Sequence, residues 1–169
     1  MLRRSGYSLI ELLVVLAMLA LLAGMAMPLA EINAQRSRER ELKRALWEIR
    51  DAIDAWRQAK LEGAFNRPSG DQRGGAIGSS PFAPPYPPDL LSLTQAHADQ
   101  RPTRSGQVLR FLRRVPRDPF ADPALPPEQT WGLRSYASEA DSPRAGAEVY
   151  DVYTRSSGMG LNGVPLRQW

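Results

Sequence analysis

The sequence has no cysteine and a single histidine among its 169 residues. The absence of cysteine excludes a disulfide framework, a thiolate metal site and a cysteine nucleophile. The histidine, His97, lies in a polar stretch without a catalytic motif around it, and the sequence contains no nucleophile elbow or phosphate-binding loop. We therefore predict that the protein is not an enzyme and that it has neither catalytic residues nor a cofactor.

The chain also lacks charge from Leu12 to Ala30, an uninterrupted run of 19 uncharged residues. As a helix, residues 9–30 would be about 33 Å long, whereas a hydrocarbon core is roughly 30 Å thick. The run predicts a transmembrane segment and excludes a purely soluble protein. The rest of the chain, from Glu31 onward, leaves room for one modest domain but not for two.

The sequence has no long stretch in which positive charges are gathered without acidic residues between them. The formal net charge is +4, but most of the cations alternate with Asp and Glu. This pattern predicts no nucleic-acid binding.

The charges that flank the apolar run bear on its orientation in a membrane. Two cations, Arg3 and Arg4, precede the run, and five follow it within fifteen residues. The positive-inside count alone therefore argues against an N-terminus in the cytoplasm.

A single acid, Glu11, lies at the start of the apolar run. A carboxylate in hydrocarbon costs on the order of 3 kcal/mol on insertion scales, so such a group usually has a partner. If an enzyme cut between Gly6 and Tyr7, the new amino group would lie four residues from Glu11, and a neighbouring copy's carboxylate could meet it equally well. The pattern favours side-by-side packing of identical helices. An uncleaved membrane anchor is the alternative, but it does not explain Glu11.

The N-terminus combines a short basic leader ending in Gly6, an aromatic Tyr7, the run Ser8-Leu9-Ile10-Glu11-Leu12-Leu13-Val14-Val15, and Pro28 within the predicted helix. With these features it resembles the type IV pilin and pseudopilin family. It implies that residues 1–6 form a leader peptide, that a prepilin peptidase cuts after Gly6, and that the new N-terminus at Tyr7 is methylated. It also implies that Glu11 pairs with the amino terminus of a neighbouring subunit and that the N-terminus is cytoplasmic.

Helical periodicity continues beyond the apolar run. Large apolar residues recur at spacings of four and three residues, at Leu42, Leu46, Ile49, Ile53 and Trp56. The pattern predicts one helix from Tyr7 to Glu62, transmembrane over residues 7–30 and amphipathic over 31–62. It would be about 84 Å long, with a kink at Pro28 and a stop at Gly63. Trp47 lies off the main stripe, and we expect it to widen the face that packs on the core.

Residues 63–129 contain most of the 15 prolines and form a loop region with short helices. One helical turn is predicted at Leu90–Leu93, with Asp89 as its cap, and another helix at Val108–Val115, which Pro116 ends. Residues 130–169 are predicted to form a small antiparallel sheet from strands at 130–138 and 148–156, followed by a C-terminal loop. The predicted class is α+β, with this sheet packed on the long helix.

The C-terminal half contains three further motifs: Val115-Pro116-Arg117-Asp118-Pro119-Phe120, Trp131-Gly132 with Tyr136, and Tyr150-Asp151-Val152-Tyr153 with the glycine-rich tail. In these motifs it resembles, more specifically, the major pseudopilins of type II secretion, of the general secretion protein G type. The resemblance implies a periplasmic head and a short periplasmic filament that helps to drive folded proteins through the outer membrane. In this chain an insertion separates Trp131-Gly132 from Asp118-Pro119.

Members of that family commonly hold calcium in the C-terminal loop. Here the corresponding stretch, residues 155–163, has no carboxylate; its side-chain oxygens belong to Ser156, Ser157 and Asn162, and Asp118, Asp122 or Asp151 would have to fold toward it. Calcium favours six to eight oxygen ligands, usually with carboxylates among them. We therefore expect the loop to close the sheet by its own hydrogen bonds, with calcium as the alternative.

The sequence as a whole predicts a pseudopilin. The resemblance implies a single-pass protein of the bacterial inner membrane, with the head in the periplasm. The implied partners are copies of the chain in a filament, minor pseudopilins, prepilin peptidase, the inner-membrane secretion platform and membrane lipid. A minor pseudopilin or a type IV pilin subunit is the alternative within the class, and an uncleaved, membrane-anchored periplasmic binding or assembly protein is the alternative outside it.

Overall fold

The computed structural model describes residues 8–64, 85–104 and 106–169, with residues 24–29 described by their backbone alone. It divides into two compact units, unit 1 from Met1 to Glu39 and unit 2 from Arg40 to Trp169. A long helix, α1 (Leu9–Leu61), passes through both units. Within the described ranges the strands are β1 (His97–Ala98), β2 (Val108–Leu109), β3 (Trp131–Arg134) and β4 (Asp151–Thr154). The fold is α+β, a long N-terminal helix followed by small antiparallel sheets.

The C-terminal end of α1 is set by Gly63. This residue has a φ of +73°, which glycine adopts without steric cost. The amide of Ala64 donates to the carbonyl of Ala59 at 2.9 Å, and the amide of Gly63 donates to that of Lys60 at 3.1 Å. These two bonds form a Schellman motif and satisfy the last carbonyls of the helix. Gly63 thus ends α1 where the sequence predicts.

The core of unit 2 is built on the apolar stripe of α1. Leu42, Leu46, Ile49, Ile53 and Trp56 are all at most 6% exposed, as their spacing predicts. They pack in one cluster with apolar residues from the loops and strands, among them Leu93, Trp131, Val149, Val152 and Leu166. Burying a side chain of this size stabilises a fold by roughly 1.5–3 kcal/mol. The C-terminal part of α1 therefore depends on the rest of unit 2 for its cover, and unit 2 (Arg40 to Trp169) is called the head below.

Trp47 does not join this core, and the prediction that it widens the packed face was wrong. Its side chain is 68% exposed. Five residues of helix turn the chain by about 500°, so Trp47 lies about 140° around α1 from Leu42. The side chain therefore points away from the stripe.

The main sheet consists of β3 and β4, which run antiparallel with Trp131 opposite Thr154 and Leu133 opposite Val152. Both strands are shorter than predicted. The amide of Ser135 donates to the carbonyl of Arg144 instead of continuing the ladder, so β3 ends at Arg134. A Cβ at Gly132 would lie 2.3 Å from the ring of Tyr153, so a larger residue there would have to displace that ring.

The helix predicted at Val108–Val115 is not formed. Val108 and Leu109 form β2, which pairs antiparallel with β1, and Gly106 before them has a φ of +89°. The amides of Phe111 and Leu112 both donate to the carbonyl of Leu93. The backbone groups of this segment thus form hydrogen bonds with residues distant in the sequence. These bonds are more favourable than a helix of barely two turns, which is marginal by itself. The turn at 91–94 does form, as a short 3₁₀ helix, and Asp89 accepts the amide of Ser92 at 2.7 Å.

A charge cluster ties the end of α1 to the loop after β1. The carboxylate of Asp99, which is 2% exposed, accepts bonds from Nε and Nη2 of Arg101. Nη1 of Arg101 also binds Glu62 in the turn after α1. The hydrogen bond from Arg101 lowers the pKa of Asp99, although burial opposes this shift, and it raises the pKa of Arg101. The cluster therefore stabilises the fold while Asp99 is ionised.

We predict that Asp99→Asn makes the unfolding of the full chain less dependent on pH. A carboxyl group with a lowered folded pKa contributes stability above its unfolded value of about 4 and loses that contribution as the pH falls through the folded value. The variant should melt at a lower temperature than the wild type at pH 7, and the difference should shrink as the pH falls through the lowered pKa of Asp99 in the folded state. Circular dichroism melts across this pH series measure the difference, with the exposed Asp54→Asn as control. A difference that stays constant as the pH falls would contradict the prediction.

Candidate assembly site

Of the residues predicted to form the processing and assembly site, Gly6 and Tyr7 lie outside the described residues. Glu11 is in the first turn of α1. The backbone of α1 is helical through Pro28, and the kink predicted there stays a prediction. The site is therefore described from Ser8 onward.

Ser8 precedes α1, and its carbonyl accepts the amide of Leu12 at 3.2 Å. Glu11 is exposed and lies near the helix N-terminus, where the macrodipole favours a negative charge by roughly 0.3–1 kcal/mol. It is the only charged residue between Ser8 and Ala23. In lipid this gain would not offset the cost of burying a carboxylate, so Glu11 needs a cationic partner once the segment around it is buried.

The first part of α1 exposes apolar side chains around its whole circumference. From Leu9 to Leu22 every large apolar side chain is between 47% (Val14) and 78% (Leu9) exposed. A helix that is apolar all round is normally buried, either in a protein core or in a membrane. Among the described residues, no helix is both long enough and apolar enough to cross a membrane. The exposed surface from Leu9 to Leu22 is called the apolar segment below.

Comparison with known protein families finds one match, at this end of the chain. Residues 1–27 match the prokaryotic N-terminal methylation motif. The chain carries a prepilin-type signal. This methylation motif covers the predicted leader, Tyr7, Glu11 and the whole apolar segment, 27 of the 169 residues. No curated protein and no solved structure gives a significant match to the chain.

The methylation motif is that of a type IV pilin-like or pseudopilin precursor, a membrane-anchored form that prepilin peptidase processes and that assembles in a pilus-like manner. The bond between Gly6 and Tyr7 lies within the matched residues, and cleavage and methylation at that bond stay predictions. The head of the molecule lies beyond the matched residues.

In the head, the structure brings together the segments on which the second resemblance rests. Trp131 is fully buried, and its Nε1 donates to the carbonyl of Pro116 at 2.8 Å. Asp118, two residues after Pro116, is 1% exposed. Its carboxylate accepts hydrogen bonds from the amide of Phe120 and the hydroxyl of Thr154. The three segments thus meet beside the β3–β4 sheet.

The candidate calcium ligands lie in three different settings. Asp118 is bonded as described above, Asp122 is exposed and caps the amide of Ala124, and Asp151 is held between Arg50 and Arg134 at 2.8 and 3.2 Å. Within the described ranges no group of three or more acidic or histidine side chains is arranged to hold a metal ion. In the described structure these three carboxylates are therefore not gathered at one site, and calcium binding stays an untested alternative.

The C-terminal loop is closed by bonds between its own backbone groups. Gly160 donates to the carbonyl of Val164 at 2.9 Å, and Leu166 donates to that of Gly158 at 3.0 Å. A Cβ at Gly160 would lie 2.4 Å from the ring of Trp169. The loop thus fits tightly against the end of the chain, as expected for a loop that closes the sheet by itself.

His97 is placed by packing. Its ring lies edge-on to Trp56 at a centroid distance of 4.8 Å, and its Nε2 is 2.9 Å from the carbonyl oxygen of Ser92. The imidazole is therefore in contact with the core side of α1.

Sequence reasoning missed Arg50, which fastens α1 to the C-terminal strand. Its Nε donates to Asp151, and its Nη2 donates to the main-chain oxygens of Val152 at 3.2 Å and Trp169 at 2.9 Å. A charged residue next to Ile49, on the border of a buried stripe, was the available signal. Its partners lie 101 to 119 residues later, too far for any local pattern to indicate.

Proposed function

We propose that the protein is a structural subunit of a filament, the periplasmic pseudopilus of a type II secretion system, assembled through its N-terminal helices. The observation that carries this proposal is the exposed apolar segment within a methylation motif. A surface of that kind needs a cover, and copies of the same segment provide one. The head supports the secretion assignment through the placement of Asp118, Trp131 and Asp151 in one structural unit.

In this function the precursor is stored in the inner membrane as a single-pass protein, with its N-terminus in the cytoplasm and its head in the periplasm. Prepilin peptidase cuts after Gly6 and methylates Tyr7. The apolar segment then passes from lipid into the filament, where Glu11 pairs with the amino terminus of a neighbouring subunit. Minor pseudopilins and the inner-membrane secretion platform are the further partners, and the protein has no enzymatic activity or cofactor of its own.

We predict that prepilin peptidase converts the full chain to a form that begins at a methylated Tyr7. The peptidase recognises the leader and Gly6, so co-expression should remove residues 1–6. N-terminal sequencing and intact-mass measurement of the purified protein detect the change, with a Gly6→Leu precursor as the uncut control. A chain that still begins at Met1 after co-expression would support the uncleaved anchor and contradict the proposal.

We also predict that Glu11→Ala inserts into the membrane as the wild type does but assembles at least tenfold less. The substitution leaves the apolar segment intact and removes the carboxylate that an incoming amino terminus would pair with, and a pair in a buried setting is worth several times the roughly 1.4 kcal/mol that corresponds to tenfold. Membrane fractionation measures insertion, and chemical crosslinking in cells that express the secretion platform measures multimers.

The matched control is Glu31→Ala, which removes another exposed acid of unit 1 outside the apolar segment. It should leave the multimers unchanged. Equal multimers for Glu11→Ala and the wild type would show that the carboxylate does not take part in assembly.

A further inference from the structure

Trp47 stands apart from the other tryptophans of the chain. It is 68% exposed, whereas Trp56 is 6% exposed and Trp131 is fully buried. Tryptophan is among the residues that contribute most to protein interfaces, because it buries a large apolar area with little loss of side-chain freedom. A tryptophan displayed on the outer face of a helix is therefore a candidate contact for a partner.

A shallow groove of about 430 Å³ lies close to Trp47 along α1. Ala52 and Ala55 leave space on the helix side, and Phe111 and Leu112 close the other side. The groove is edged by charged residues, and its full lining is Glu48, Asp51, Ala52, Ala55, Phe111, Leu112 and Arg113. Small apolar residues beside an aromatic ring make a receptor for a flat apolar side chain. The structure thus holds a protruding tryptophan and a fitting groove on one surface.

Most exposed charges along this face of α1 change sign at Trp47. Arg40 and Arg44 before it are basic, and Glu48, Asp51 and Asp54 after it are acidic. Glu41, on the flank of the face above Glu48, is an exposed acid on the basic side. Lys43, also on the basic side, lies over the ring of Trp169 at 4.4 Å and so already has a neighbour within its own chain. The surface is therefore complementary to itself when one copy is shifted along the other.

One shift satisfies both the shape and the charges. Arg44 and Asp51 are seven residues apart, and Trp47 precedes the groove residues Ala52 and Ala55 by five to eight. At 1.5 Å per residue, a displacement of about 10 Å along the helix brings Trp47 of one copy to the groove of another and Arg44 to Asp51. A second copy of this chain therefore provides both the groove for Trp47 and the acidic partner for Arg44.

We propose that Trp47 of one subunit seats in the groove between Ala55 and Phe111 of the next subunit, with Arg44 paired to Asp51. The inference rests on the proposed filament function and adds a contact between heads. Because knob and groove are different parts of the surface, the contact is heterologous, and it repeats from copy to copy without closing. The head thereby fixes the axial offset between subunits, in addition to the packing of the N-terminal helices.

The test uses engineered cysteines in a chain that has none of its own. Arg44→Cys and Asp51→Cys are introduced together into the full chain, in cells with prepilin peptidase and the secretion platform, and a thiol oxidant is added. This pair leaves Trp47 in place. Both positions are exposed, so thermal unfolding should change little. Seven residues of helix separate them by about 10 Å, too far for a disulfide within one chain. We expect a ladder of disulfide-linked multimers on a non-reducing gel.

Two controls accompany the pair. Arg44→Cys alone should give no ladder, and neither should Arg44→Cys combined with Val108→Cys, whose valine is 62% exposed on β2. Dimers without higher multimers would mean a closed two-fold contact and would overturn the proposal. Intact filaments without crosslinks would overturn it as well, while leaving the filament function standing. If the wild type forms no filaments at all, the proposed function fails, and this inference fails with it.

Discussion

The burial of α1 is the constraint on which the rest of the structure depends. Its later turns present a narrow apolar stripe, and the head covers that stripe so completely that Leu42 and Ile49 are fully buried. Its first turns present apolar side chains in every direction, and each of those between Leu9 and Leu22 is at least 47% exposed. One helix therefore needs two kinds of cover, and the described chain supplies one of them.

This division explains why the head is built as it is. The two short sheets are marginal by themselves, since a two-stranded ribbon has little apolar surface to bury. They hold together because Val152 and Trp131 pack on the stripe of α1 and because Arg50 binds Asp151 and the last turn of the chain. The strands and loops of the head thus bury the apolar stripe on one half of α1. The methylation motif lies on the other half, and it is this motif that indicates assembly.

Local patterns in the sequence predicted the parts of the fold that local physics decides. The stripe from Leu42 to Trp56 and the end of α1 at Gly63 follow from helical periodicity and the glycine C-cap. The segment Val108–Val115 was assigned wrongly, because a short apolar run fits a strand as well as a helix and its real partners, β1 and Leu93, are distant in sequence. The prediction for Trp47 is wrong for a simpler reason: the side chain is hydrophobic, but it lies about 140° around α1 from Leu42 and so outside the stripe. For the candidate site, the sequence motif indicates Gly6, Tyr7 and Glu11. The partners of Arg50 lie more than a hundred residues away, so no local pattern identifies them.

The central claim is that the apolar segment is a packing surface between copies. Single cysteines placed at successive positions from Leu12 to Leu22 of the full chain test it directly, since the wild type has no cysteine. Oxidation in membranes of cells with prepilin peptidase and the secretion platform should give disulfide-linked dimers at several of these positions. The dimers should disappear when the peptidase is absent. Mature chains that begin at Tyr7 but remain monomeric at every position would contradict the claim.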